Sequence, residues 1–355
     1  MKIIQYLFLL ALLGFVAFAV HVTTQKNEFD IQQTYFINVP KTQVYNYLND
    51  CRNWQTYSAW KQADPSQVFS FPGNTIGVSG YCAWEGSSES GKLLITQSKE
   101  NTAIEQKLAI NGKAAHCSWT LQDSLKGTQV TWHYQGSVSF GTKVAYALQG
   151  GVVQTISAAM QQTLANLNKT IRHELTTYSI KLQGVTKKKG CFYLRESINC
   201  KTAFVQKNIR ILVPRMLRFF QKNKLHATGS PFVIYHAYDY PKGYCKISVC
   251  LPITDSIFTS PGSQITSGVL EPFTCYKTSL HGDYLHLQEA RKKTRSYFEK
   301  NHISENIALP LVEEYSQSST QIANPSKWVT NLYFPIKPVA SSAVVVANDS
   351  TATQP

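Results

Sequence analysis

Charged residues are scarce in this sequence, and acidic residues are the scarcest. Aspartate and glutamate number 21 against 35 lysines and arginines in 355 residues, which gives a formal net charge of +14. This excess favours anionic partners, although it also fits simple solubility. There is no zinc-finger spacing, no arginine-rich tract and no clear helix-turn-helix. We therefore expect no nucleic-acid partner.

The cysteines form no metal-binding pattern. They are Cys51, Cys82, Cys117, Cys191, Cys200, Cys245, Cys250 and Cys275. No C-x-x-C pair occurs, so we predict no metal site, and nothing in the sequence indicates a cofactor. An even number of cysteines in an exported body permits disulfides, and Cys191 with Cys200 is the first pair to examine. Buried free thiols are the simpler interpretation for most of them.

Long hydrophobic runs are absent apart from residues 1–23, which contain few polar side chains. This run is about long enough to span a bilayer as a helix. Lys2 precedes it and charges of both signs follow it, which predicts a single-pass anchor in a bacterial inner membrane with a periplasmic body. A cleaved signal peptide is the alternative, because Ala17 and Ala19 form a small-x-small pattern.

Residues 29–180 show the pattern of a curled antiparallel sheet with a closing helix. A strand is followed by a short helix, roughly six strand-like runs and a helical stretch with an apolar stripe at a period of 3.6. Gly150 and Gly151 mark a kink in that helix or its true start. The order predicts a sheet wrapped around the last helix, with a cavity between them.

Four motifs in this half resemble START-like (SRPBCC, polyketide-cyclase-like) domains. They are Asn38-Val39-Pro40, Val44-Tyr45-Asn46-Tyr47-Leu48-Asn49-Asp50, Gly80-Tyr81-Cys82-Ala83-Trp84-Glu85-Gly86 and Gly127-Thr128-Gln129-Val130-Thr131-Trp132. The resemblance implies a helix-grip fold with an apolar cavity for lipids or other hydrophobic molecules, and no catalytic set shared across the family. Candidate cavity residues are Tyr81, Trp84, Trp119 and Trp132. Their alternative role is to fill the core, as aromatic side chains commonly do.

Two segments are interpreted as connections rather than domains. Residues 181–190 contain three consecutive lysines and are predicted to form a solvated basic linker. Residues 338–355 are rich in serine, alanine, valine and threonine and are predicted to be disordered.

Residues 191–337 contain the order β-α-β-β twice. The segment Pro231–His236 aligns with Pro310–Tyr315, and Leu251–Ile253 aligns with Phe334–Ile336. An internal duplication explains this match better than chance. The basic residues of both helices, Arg291 among them, are interpreted as a solvated outer face, with docking on an anionic surface as the alternative.

Alternation along the strands assigns the faces of this second sheet. Residues predicted to pack under the helices are Val233, Ile247, Val249, Leu251, Val312, Thr330, Leu332 and Phe334. Residues predicted on the helix-free face are Ile234, His236, Glu313, Tyr315, Asn331 and Tyr333. With Trp328, these side chains form the candidate site, an aromatic-lined groove with one carboxylate.

This half resembles the GyrI-like family, also called AraC effector-binding or multidrug-regulator-type domains. The residues that carry the likeness are Glu313-x-Tyr315, Gly282-Asp283-Tyr284 and the ending Trp328–Ile336. The resemblance implies a pocket for amphipathic, often cationic molecules, in which Glu313 contributes charge complementarity and aromatic walls add cation–π contacts. Residues 316–319 depart from the Asp-Pro turn of many members, and the DNA-binding domain of regulator members is absent.

The sequence thus predicts an α+β protein with one N-terminal transmembrane helix and two ligand-binding domains. The leading hypothesis is a membrane-anchored sensor, carrier or sequestering protein for hydrophobic or amphipathic small molecules. The alternative is a hydrolase or cyclase in which Glu313 is the general base. A third hypothesis is an interaction module whose first domain docks a protein.

Overall fold

The computed structural model describes residues 2–24, 26–87, 89–239, 243–260 and 262–337. Within them the chain is a mixed α+β protein with two antiparallel sheets, divided into the units Met1–Thr176 and Thr177–Pro355. The predicted disordered tail, residues 338–355, lies outside the described residues.

The first unit is a seven-stranded antiparallel sheet with helices before, between and after its strands. The helices are α1 (Lys2–Thr24), α2 (Lys41–Leu48), α3 (Trp54–Tyr57), α4 (Ala59–Ala63), α5 (Phe140–Ala147) and α6 (Val152–Thr176). The strands are β1 (Glu28–Ile37), β2 (Val68–Ser70), β3 (Tyr81–Glu85), β4 (Ser90–Lys99), β5 (Ala103–Ile110), β6 (Lys113–Ser124) and β7 (Gly127–Ser137). Their order in the sheet is β1-β7-β6-β5-β4-β3-β2, so the first strand pairs with the last.

The long helix α6 closes this unit. Its apolar stripe is buried through Ile156, Met160 and Leu164, in the same core as the inner residues of the sheet. Gly150 and Gly151 have φ angles of 97° and 99°. Residues with a Cβ atom rarely adopt such a backbone angle. The two glycines therefore permit the break in the chain between α5 and α6. The predicted helix after the first strand is α2, but two further short helices, α3 and α4, follow it before β2. The predictions of about six further strands and a helix start at these glycines are confirmed.

The helix α1 is a candidate membrane anchor or signal sequence. Its segment Ile3–Thr24 has a mean hydropathy of 2.5 over its most apolar window, and that window is unburied. A helix of 22 residues at about 1.5 Å per residue is long enough to cross the hydrocarbon core of a bilayer.

The second unit is an eight-stranded antiparallel sheet with two long helices. The strands are β8 (Ser179–Lys188), β9 (Cys191–Lys201), β10 (Phe232–Asp239), β11 (Tyr244–Ile253), β12 (Ile265–Leu270), β13 (Phe273–His281), β14 (Leu311–Gln317) and β15 (Val329–Pro335). The helices are α7 (Val205–Lys222) and α8 (Leu287–Lys300). The predicted linker at residues 181–190 is wrong for most of its length, because residues 181–188 belong to β8, which pairs with β13.

The duplicated β-α-β-β order is confirmed as β9-α7-β10-β11 followed by β13-α8-β14-β15. The sheet order is β12-β9-β11-β10-β14-β15-β13-β8, so the second strand of one repeat meets the second strand of the other at the centre. Both repeats place their helix between the first and second of their strands. The two halves are thus arranged about the β10–β14 pair.

The pairing register shows which residues are equivalent in the two repeats. Val233 pairs with Val249 in β11, and Glu313 pairs with Leu332 in β15. Val249 and Leu332 occupy matching positions before the shared Pro-Ile endings, so Glu313 is the counterpart of Val233. The sequence alignment paired Val233 with Val312 and was therefore displaced by one residue.

The tyrosines after these residues confirm the corrected alignment. Tyr235 and Tyr315 each lie two residues beyond the equivalent positions, and each is followed directly by a break in strand register. Side chains alternate between faces, so an error of one residue moves a whole strand to the wrong face.

Two buried cysteines of this unit lie side by side. Cys200 and Cys245 are direct partners across β9 and β11, and their Sγ atoms are 4.0 Å apart. The pair chosen from the sequence, Cys191 with Cys200, is wrong, because both residues lie on β9. At about 3.3 Å per residue they are roughly 30 Å apart.

We expect diamide to cross-link Cys200 to Cys245. Directly paired antiparallel residues have Cα separations of about 4.5–5.5 Å, within the range of disulfides. Burial raises the pKa of the Cys245 thiol to about 12, and the thiolate is the reacting form, so oxidation should be faster at pH 9 than at pH 7. Peptide mapping by mass spectrometry checks the link. A Cys245→Ser control should lose it, and a different pairing in the wild type would contradict the prediction.

Candidate functional site

The centre of the candidate site is the carboxylate of Glu313 on β14. This side chain has no exposed surface, although burying an ionised carboxylate is costly unless it is paired. Strand pairing places Glu313 beside Val233 and Leu332, which belong to the core beneath α7 and α8. Glu313 therefore faces the helices, and the prediction that it lies on the helix-free face is wrong.

Both carboxylate oxygens of Glu313 accept hydrogen bonds. Arg291 donates to Oε1 from Nε at 2.7 Å and approaches it with Nη2 at 2.6 Å. The Tyr235 hydroxyl donates to Oε2 at 2.7 Å, and the Tyr315 hydroxyl lies 3.4 Å from the same atom. The charge of the Glu313 carboxylate is thus balanced by the Arg291 guanidinium. The hydroxyls of Tyr235 and Tyr315 supply hydrogen bonds in place of water.

Sequence reasoning missed Tyr235 as a site residue, and it also missed Arg291. Its guanidinium lies over the Tyr235 ring with Cζ 5.0 Å from the centroid, and its Nη2 donates to the Tyr235 hydroxyl at 2.8 Å. Only 15% of the side chain is exposed, which contradicts the interpretation of a solvated outer face. A signal was present, because Leu287, Ala290 and Thr294 mark the buried stripe of α8 and Arg291 falls on it.

Aromatic rings extend the site from Tyr315. Tyr284 contacts Tyr315 edge-on at 5.2 Å between centroids and stacks on Trp328 at 4.5 Å. Burial raises the pKa of the Tyr315 hydroxyl well above its usual value, and the neighbouring carboxylate of Glu313 adds to the rise. This hydroxyl therefore stays protonated and can donate to the acid. Of the predicted site residues, the structure brings together Glu313, Tyr315 and Trp328.

The other predicted residues of this unit lie elsewhere. Ile234 and Tyr333 belong to a separate apolar cluster on the opposite face of the sheet. Asn331 bonds there to Ser279 and Ser316, while the exposed His236 shares a hydrogen bond with Ser248. Alternation sends residues at even and odd positions of one strand to opposite faces, so these four side chains cannot join Glu313.

The predicted aromatic residues of the first unit are mostly in its core. Trp84, Trp119 and Trp132 are buried at 3%, 0% and 0% exposure. Trp119 and Trp132 stack with centroids 4.4 Å apart and planes at 11°. Tyr81 differs, because Trp84 lies three positions along β3 and alternation places the two side chains on opposite faces.

The aromatic side chains leave little space in this core. The cavity between Trp54, Trp60, Trp84 and Trp132 has a volume of about 10 Å³, room for about one water molecule. Glu89 also lines it, and burial raises the pKa of its carboxyl group. An open cleft of about 770 Å³ lies at the start of α6. None of the ligand-binding residues predicted from the sequence lines it.

The described part of the chain contains no cluster of metal ligands. No group of three or more histidine, cysteine, aspartate or glutamate side chains is placed to hold an ion there.

Comparisons with known proteins match one family model to part of the chain. Residues 192–337 match the model of the GyrI-like small molecule binding domain. No curated protein matches the chain. Similar solved structures include the EcmrR–DNA complex, with 18% identity, 57% of this chain and 73% of that chain covered, and a TM-score of 0.39. The EcmrR C-terminal domain is 17% identical, with 46% of this chain and 99% of that chain covered and a TM-score of 0.39. SAV2435 bound to tetraphenylphosphonium is 11% identical, with 44% of this chain and 94% of that chain covered and a TM-score of 0.34.

Proposed function

We propose that the GyrI-like small-molecule binding domain at residues 192–337 takes amphipathic cations at Glu313, and that the protein senses, carries or sequesters them. The observation that carries this proposal is a fully buried carboxylate with two tyrosine hydroxyls on one oxygen and a cation on the other. A site that already holds one guanidinium beneath a helix has the charge and the aromatic wall that a cationic ligand needs.

The same hydrogen bonds favour binding over catalysis. A general base needs a free lone pair within reach of a water or substrate proton. In Glu313, Oε1 is occupied by Arg291 and Oε2 by the hydroxyls of Tyr235 and Tyr315. Tyr333, the other tyrosine considered from the sequence, lies in the cluster on the opposite face. The hydrolase or cyclase hypothesis is therefore the weaker one.

Binding of ethidium, a lipophilic cation that carries amino N–H donors, tests the proposal directly. We expect Glu313→Gln to weaken its binding at least about tenfold, because the variant removes the charge that offsets desolvation of the ligand. Glu314→Gln is the matched control, since this neighbouring acid points to the other face and pairs with Lys188. Titration calorimetry, with circular dichroism to confirm folding, measures the effect. Equal weakening by both variants would contradict the proposal, as would absence of binding to the wild type.

For the first unit we propose a START-like helix-grip fold behind an uncleaved membrane anchor, with the body on the periplasmic side. The element order, the long closing helix α6 and the apolar length of α1 support this. In this proposal hydrophobic ligands enter the first unit by displacing aromatic side chains from around its small cavity. Intact-mass analysis of the purified protein tests the anchor. A mature N-terminus that begins after Ala19 would contradict it.

A further inference from the structure

The guanidinium of Arg291 occupies the place that a cationic ligand would take at Glu313. Its Nε and Nη2 both lie within 2.7 Å of Oε1, and Nη2 also donates to the Tyr235 hydroxyl at 2.8 Å. That hydroxyl in turn donates to Oε2 at 2.7 Å. The guanidinium, the hydroxyl and the carboxylate form a closed ring of hydrogen bonds in which the cation supplies N–H donors as well as charge.

The shape of this ring selects a particular kind of cation. A quaternary ammonium ion has no N–H group, so it would leave Oε1 and the Tyr235 oxygen without their donors in a buried place. A guanidinium or amidinium is planar and forked, so it can bond both oxygens and lie over the Tyr235 ring as Arg291 does.

The outer side of the guanidinium is the route by which Arg291 can leave. Its Nη1 reaches the exposed Gln288 of α8 at 3.3 Å, and 15% of the side chain is in contact with solvent. Rotation of the arginine side chain towards Gln288 would carry its charge towards water. Exchange of one monocation for another also leaves the charge on Glu313 balanced.

We propose that Arg291 is a tethered resident ligand of the Glu313 site, and that the molecules which displace it carry a planar guanidinium or amidinium group on an apolar body. This inference rests on the proposed function and names its ligand class. Arg291 sets the threshold for binding, since a free ligand meets a competent site only in the fraction of molecules whose arginine has left.

The test compares two aromatic monocations in the full-length protein. Benzamidine and phenyltrimethylammonium carry the same ring and charge, but only benzamidine has N–H donors. We expect Arg291→Ala to bind benzamidine at least about tenfold more tightly than the wild type, with no such gain for phenyltrimethylammonium. Arg295→Ala is the matched control, because this residue lies one turn further along α8 and pairs with Glu305. It should leave both affinities unchanged.

Each outcome decides the inference. Equal gains for both cations would overturn the guanidinium class, and no gain for either would show that Arg291 does not compete. If the wild type binds ethidium but Arg291→Ala gains no affinity for benzamidine, this inference is wrong and the proposed function stands. If no variant binds any cation, the proposed function itself is wrong. If Arg291→Ala folds poorly, Arg291→Gln keeps the side chain as far as Cδ without the charge, and benzamidine should raise its soluble yield whereas phenyltrimethylammonium should not.

Discussion

Replacing Glu313 with alanine is expected to destabilise the second unit by about 3–5 kcal/mol, the usual cost of removing one partner from a buried ion pair. The loss is large because the buried hydroxyls of Tyr235 and Tyr315 lose their acceptor and the Arg291 guanidinium loses its partner. Urea denaturation followed by circular dichroism measures the free energy of unfolding.

Two further variants make this result specific. Glu305→Ala breaks the neighbouring and more exposed Arg295–Glu305 pair and should cost less than about 1 kcal/mol. Replacing both partners, as Glu313→Leu with Arg291→Met, should recover most of the lost stability, because apolar residues of similar volume need no charge balance. If Glu313→Ala costs no more than Glu305→Ala, the structural role assigned to the buried pair is wrong.

Trp132→Ala is expected to destabilise the first unit by about 3–5 kcal/mol. The indole has no exposed surface and lies between Trp119, which stacks on it, and the edges of Trp54 and Trp60. Its removal leaves a void that the stiff rings around it cannot fill. Thermal unfolding measures the loss, and Leu125→Ala, at a fully exposed turn, should change stability by less than about 0.5 kcal/mol.

The same variant reports on the proposed ligand cavity. With Trp132 removed, the space beside the existing cavity should accept indole or a similar apolar ring, as engineered apolar cavities do. Indole should then raise the unfolding temperature of Trp132→Ala more than that of the wild type, in which a ligand must first displace an aromatic side chain. A wild-type shift of the same size would mean that the native core already opens to such ligands.

Element order could be predicted well from this sequence, because it depends on local patterns. The apolar period of α6, the glycines before it and the repeated β-α-β-β order all follow from neighbouring residues, and all appear in the structure. The strand β8 was missed because its basic residues resemble a linker, while its pairing with β13 is a contact between distant parts of the chain.

The candidate site was predicted only in part, for a reason that lies in strand geometry. Glu313, Tyr315 and their common face were read correctly from alternation, but the repeat alignment was displaced by one residue and assigned them to the wrong side of the sheet. Tyr235 and Arg291 then went unrecognised. Their roles depend on which strand and helix meet Glu313, and that information is tertiary.

The duplication also limits how a ligand can lie in the second unit. The two repeats supply equivalent tyrosines, Tyr235 and Tyr315, but Val233 stands where the other repeat has Glu313. A binding place built about an approximate two-fold axis thus carries charge on one side only. If the site takes cations as proposed, a molecule with one cationic end has a single favourable orientation there, and we expect one ligand per domain despite the two repeats.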